Sequence, residues 1–147
     1  MDLKNLYREV ILDHNKHPRN TGTLPPPAHL AQGHNPLCGD QLIISCKITD
    51  ERLDDVRFEG TGCAISTASA SLMTEAVKGK TLAEIEELIH AVHHLLTHTD
   101  APIPAQLGKL AALSGVAEYP ARVKCASLAW HTLRQALRGE STTVKTE

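Results

Sequence analysis

Aromatic side chains are almost missing from this chain: one Trp, two Tyr and one Phe, 3% of 147 residues. Its core must therefore be built from Leu, Ile, Val and Ala. Positive charge is not in excess either. The net charge is −2, with lysines and arginines spread along the chain, so the basic footprint of a nucleic-acid binder is absent. No apolar run approaches the roughly 18 residues that cross a bilayer. The opening Met1-Asp2-Leu3-Lys4-Asn5 lacks the apolar core and small-residue cleavage site of a signal peptide. These absences point to a cytoplasmic protein whose partners are neither membrane nor nucleic acid.

What is present suits one domain over residues 1–147, with an apolar fraction of 41% and enough length to bury a core without disulfide staples. In a reducing compartment, cysteines are more often metal ligands or reactive groups than disulfide partners. There are four: Cys38, Cys46, Cys63 and Cys125.

Periodicity predicts an amphipathic helix over 2–16, capped by Asp2, with Leu3, Leu6, Tyr7, Val10 and Ile11 inward. His17-Pro18 stops it. A short edge strand is expected near 28–33. Residues 40–49 alternate as a strand, with Leu42, Ile44, Cys46 and Ile48 on one face, and a second strand runs from about Leu53 to Thr61. A helix follows over 64–78, ending at Gly79. Thr81-x-x-Glu84 opens another with a capping box. A short helix near 104–113 and a last helix after Pro120 complete the set. The polar tail 139–147 is expected to be disordered. The fold class is α+β: a small antiparallel sheet of about three strands, with helices packed on one side.

The cysteines differ in setting. Cys38 lies in Asn35-Pro36-Leu37-Cys38-Gly39-Asp40, a turn entering a strand. In extended chain, positions 38 and 40 point the same way, so a thiol and a carboxylate could reach one cation. Cys63 follows Gly60-Thr61-Gly62 at a strand-to-helix junction, where free backbone N–H groups welcome negative charge. Cys125 follows Arg122-Val123-Lys124, and two nearby cations should lower its pKa. The intervals between the three are too long for a zinc ribbon or finger. Cys46 falls on the apolar strand face and is expected in the core. His90, His94 and His98 recur at helical spacing, but on the polar side of their helix, and read as a solvated face.

Taken together, Asn-Pro-x-Cys-Gly-Asp, Gly-x-Gly-Cys-Ala-Ile-Ser and Arg-Val-Lys-Cys-Ala-Ser-Leu-Ala-Trp resemble the IscU/SufU family of iron–sulfur cluster assembly proteins (NifU N-terminal-like). The chain is most similar to the SufU branch. Lys124 stands where IscU-type scaffolds carry a histidine, the chaperone-recognised Leu-Pro-Pro-Val-Lys element is absent, and 97–118 looks like the extra SufU segment. The resemblance implies one zinc ion held by Cys38, Asp40, Cys63 and Cys125. It also implies that Cys38 accepts sulfur from a pyridoxal-phosphate cysteine desulfurase of the SufS type, stimulates it, and passes the sulfur to a SufBCD-type scaffold. The chain would then be a sulfurtransferase-like accessory to that enzyme. Arg122 is either a solvated charge or has a role beside the metal or toward the partner. Two other readings remain open: a scaffold for a transient [2Fe–2S] cluster, or iron, on the same residues, and a regulatory module whose zinc is purely structural.

Overall fold

The computed structural model describes residues 3–98, 102–139 and 144–145. Helix α1 (Leu3–Lys16) precedes strands β1 (His29–Asn35), β2 (Asp40–Thr49) and β3 (Arg52–Thr61). Helices α2 (Ala64–Val77) and α3 (Leu82–Thr97) follow, then a 3-10 segment, Ala105–Glu118, and α4 (Pro120–Leu137). A two-residue strand, β4 (Val144–Lys145), comes last.

The expected three-stranded antiparallel sheet is present, with β2 central between β1 and β3. Leu42, Ile44 and Cys46 are buried as their alternation requires. A bulge between Lys47 and Ile48 ends that regularity. Helices α2 and α4 meet each other and the sheet. The serine-rich face of α2 lets α4 come close: Ser69 Oγ donates to Ala126 O at 2.6 Å, and Trp130 Nε1 donates to Ser69 Oγ at 3.2 Å. Thr81 and Glu84 form the capping box, and Pro120 opens α4. Among the described residues no helix is long and apolar enough to cross a membrane.

Several expectations change. Strand β1 reaches Asn35, beyond the expected 33, because it pairs with β2 up to the Asn35–Asp40 position. The predicted short helix is a longer 3-10 segment, broken at Gly108, whose φ of 53° and ψ of −126° interrupt the helix. Leu6 is 47% exposed rather than inward. The inner stripe of α1 is Tyr7, Val10, Ile11 and His14, and Leu6 sits one position off it. Val144 and Lys145 in the tail pair alongside Gly33 and His34, parallel to β1. The Asp2 cap lies outside the described residues.

His14 is buried, with 1% of its side chain exposed. The Arg19 amide donates to Ser71 Oγ at 2.9 Å, which leaves the Ser71 hydroxyl proton for His14 Nδ1 at 2.7 Å. His14 Nε2 lies 3.4 Å from Glu75 Oε1. Burial, then the charges of Arg19 and Lys109, hold the imidazole below its ordinary 6.5, against the opposing pull of Glu75 and Asp13. The unfolded chain takes up that proton at a pH where the folded chain still refuses it, so His14 costs stability as pH falls below 6.5. In metal-free protein, His14→Gln should therefore flatten the loss of urea midpoint between pH 7 and pH 5. Equal slopes for the two proteins would contradict this account.

Candidate metal centre

Three chain segments meet at one end of the sheet. The first is the turn Pro36–Gly39, which links the paired residues Asn35 and Asp40 at the ends of β1 and β2. Gly39 has φ +72°, a left-handed conformation that favours glycine. The link from Cys38 to Asp40 is thus a turn rather than extended chain, and strand alternation is not what brings the two together. The turn leaves Cys38 exposed, while Asp40 is fully buried.

The second segment is the junction into α2. Cys63 caps the helix, its sulfur accepting from the Ser66 amide at 3.4 Å. The Cys63 amide donates to Asp40 Oδ1 at 2.8 Å, and Cys63 Sγ lies 3.9 Å from Asp40 Oδ2. A Cβ on Gly62 would stand 2.6 Å from Asp40 Oδ1, so only glycine leaves room for the carboxylate.

The third segment is the start of α4. Cys125 is 2% exposed, and its sulfur lies 3.2 Å from that of Cys38. Its pKa is raised, opposite to the sequence expectation. Burial is the main cause, followed by crowding from Cys38, Asp40 and Cys63. Of the two cations expected to lower it, exposed Arg122 stacks over the Tyr119 ring at 4.7 Å and Lys124 is half-buried beside Cys125 in the chain; neither outweighs the burial.

The donor atoms of Cys38, Asp40 and Cys125 all lie within 4.8 Å of one another. A tetrahedral zinc site with Zn–S bonds near 2.3 Å places its sulfur donors about 3.8 Å apart, so this group has the dimensions to hold such an ion. Cys63 is not within that mutual distance of all three, but its sulfur borders Asp40 and Cys125 from the helix side. Three thiolates and a carboxylate are a donor set suited to Zn²⁺.

Cys46 stands apart: it is buried in the sheet core, and burial pushes its thiol up to about 11. His90 and His94 on α3 and His98 at its C-cap are all exposed, as their spacing suggested. One residue at the site escaped sequence reasoning. Asn35 is fully buried, with Nδ2 3.5 Å from the Cys125 sulfur. The signal was its place before Pro36 at the head of the Cys38 turn, where an asparagine side chain can bond backbone two residues on.

The model of the NifU-like N-terminal domain matches residues 6–137. The chain belongs to that family. Within this NifU-like family, the zinc-dependent sulfurtransferase SufU of Bacillus subtilis is 39% identical over 95% of this chain and 94% of its own length. The iron–sulfur cluster assembly scaffold protein IscU of Streptococcus pyogenes is 38% identical over 92% of this chain and 85% of its own. Among solved structures, a SUF-system protein of Fervidobacterium islandicum (FiSufU) superposes with a TM-score of 0.81, at 34% identity, over 92% of this chain and 99% of that one. The NifU-like domain of Brucella abortus gives 0.83 at 25% identity, over 93% and 95%. The family is thus that of iron–sulfur cluster assembly proteins of the IscU/SufU kind.

The crowding at Gly62 can be tested directly. Gly62→Ala should displace the Asp40 carboxylate and weaken zinc binding by roughly 10–100-fold, the scale on which changes around a ligand act. Competition with a chromophoric chelator measures it, and unchanged affinity would count against Asp40 as a ligand of any metal this centre binds. Stripping the metal with a chelator should also lower the melting temperature, because metal binding is coupled to folding.

Proposed function

We propose that this chain is a zinc-dependent sulfur acceptor in iron–sulfur cluster assembly. It takes persulfide sulfur from a SufS-type cysteine desulfurase, stimulates that enzyme, and hands the sulfur to a SufBCD-type scaffold in the cytoplasm. The observation that carries this reading is the contrast in burial within one cluster: Cys38 is exposed, while Asp40 and Cys125 are buried. One sulfur faces outward for a partner, and the buried donors form the base on which it rests. The SufU-type features support sulfur rather than a cluster as cargo: Lys124 at the scaffold-histidine position, and the segment now seen as 3-10 helix at Ala105–Glu118.

A zinc ion bound by Cys38, Asp40, Cys63 and Cys125 would keep the thiols deprotonated and fix their positions. The chemistry itself belongs to Cys38. Its thiolate attacks the outer sulfur of the desulfurase's cysteine persulfide. A new S–S bond forms on Cys38, the S–S bond on the desulfurase breaks, and the desulfurase cysteine leaves as a thiolate. The sulfane sulfur changes carrier with no outside oxidant or reductant. The turn beneath Cys38 and its exposure let it meet a bulky partner. Arg122, exposed on the first turn of α4 and stacked on Tyr119, is assigned in this reading to contact with the same partner.

Protein as purified should contain about one zinc per chain, the stoichiometry of a single four-ligand site. Incubation with desulfurase and cysteine should load sulfur on Cys38, read by mass spectrometry of the intact chain and its peptides. Cys38→Ala should lose both the loading and the stimulation. A variant that stimulates as fully as wild type would overturn the role given to Cys38. The scaffold reading draws on the IscU relatives and expects instead a brown protein with visible charge-transfer bands. Zinc without sulfur loading by any desulfurase would leave a structural-zinc module.

A further inference from the structure

Asn35 makes a set of contacts that neither the family motif nor the proposed chemistry explains. It is fully buried at the last paired position of β1, opposite Asp40. Its Oδ1 accepts from the Leu37 amide at 3.2 Å, and its backbone carbonyl accepts from the Cys38 amide at 3.3 Å. Its Nδ2 points at the Cys125 sulfur, 3.5 Å away. The orientation of the carboxamide follows from these partners: the Leu37 N–H needs an acceptor, so the oxygen faces the turn and the NH₂ faces the sulfur. One side chain therefore touches both the turn that carries the exposed thiol and the buried thiol at the site's base.

We propose that Asn35 is the positioning residue of this centre: through Oδ1 it holds the Cys38 turn, and through Nδ2 it donates a hydrogen bond to the Cys125 sulfur, making Cys125 the fixed ligand and Cys38 the movable one. The proposal rests on the reading of these residues as a metal and sulfur site. An N–H···S bond draws electron density from a thiolate and orients it, as outer hydrogen bonds do for other ligands. Cys38 receives no side-chain hydrogen bond from Asn35; only its backbone is held. Of the two sulfurs 3.2 Å apart, the one that keeps this bond is the buried one, and the one left unbonded by Asn35 faces the partner.

Two substitutions separate the two contacts. Asn35→Asp keeps an oxygen for the Leu37 amide and removes the N–H toward sulfur; Asn35→Ala removes both. In cobalt-substituted protein, loss of the N–H···S bond raises the energy of the sulfur lone pair. Both variants should therefore shift the thiolate-to-cobalt charge-transfer band to longer wavelength, and both should lose zinc affinity by roughly 10–100-fold. A purely structural role would leave the band where it is in wild type, and a band unmoved in both variants overturns the sulfur contact. The turn contact is read without metal, as the rate at which diamide joins Cys38 to Cys125 in a disulfide. Asn35→Ala, which frees the turn, should react several-fold more slowly than Asn35→Asp, which keeps it, and equal rates for the two overturn that half. If wild-type protein takes up no metal and no sulfur, the functional reading fails by itself, while the metal-free rate still decides whether Asn35 holds the turn.

Discussion

The hydrogen bond from the Cys63 amide to the Asp40 carboxylate, 2.8 Å long, ties the sheet to the helical layer at the point where the chemistry sits. A carboxylate with no exposed surface is costly unless its oxygens are satisfied. Asp40 opens β2 and takes its amide from the residue that caps α2. That one bond sets where the helix begins, excludes any side chain at position 62, and fixes the direction of the Cys63 sulfur. The pairing of Asn35 with Asp40 on the other side then decides how the Cys38 turn projects. The centre is less a loop placed on a scaffold than the closed end of the scaffold itself.

The third cysteine depends on a different contact. α4 lies close to α2 because the facing residues of α2 are small, and the Ser69 hydroxyl joins the Ala126 carbonyl to the Trp130 indole. Each such bond contributes on the order of 1 kcal/mol. Their larger effect is geometric, since Ala126 directly follows Cys125 and a slip of α4 along α2 would carry the sulfur away from Cys38. A polar stripe inside a helix interface gives up some apolar contact and gains a single register.

Local signals carried much of this architecture. The alternation over 40–49, the capping box at Thr81 and the proline that opens α4 each act within a few residues, and each appears where expected. The cysteine motifs were legible because their settings are local too. What escaped depends on partners far along the chain. Asn35 meets a sulfur on α4, and His14 meets a serine on α2; neither contact leaves a mark on its own neighbourhood. Cys125 misled because its flanking cations are visible in the sequence and its burial is not. The Cys38–Asp40 pair misled in a subtler way: the residues do converge, but through a left-handed glycine rather than a strand.

The burial gradient across the sulfurs also governs how the protein wears out. Thiolates climb an oxidation ladder from sulfenic to irreversible sulfinic and sulfonic acids, and exposure decides which is attacked first. Here an oxidant diffusing from solvent meets Cys38 well before Cys125, and Cys46 lies sealed in the sheet. Injury begins at the outermost sulfur, while the base of the site and the core stay intact. A chain damaged in this way would remain folded and still present a partner-facing surface, but with its outermost sulfur spent. Under the sulfur-acceptor role proposed above, such chains would compete with intact ones for the same partner, so sulfur delivery would fall in step with the damaged fraction even where the protein is in excess over that partner.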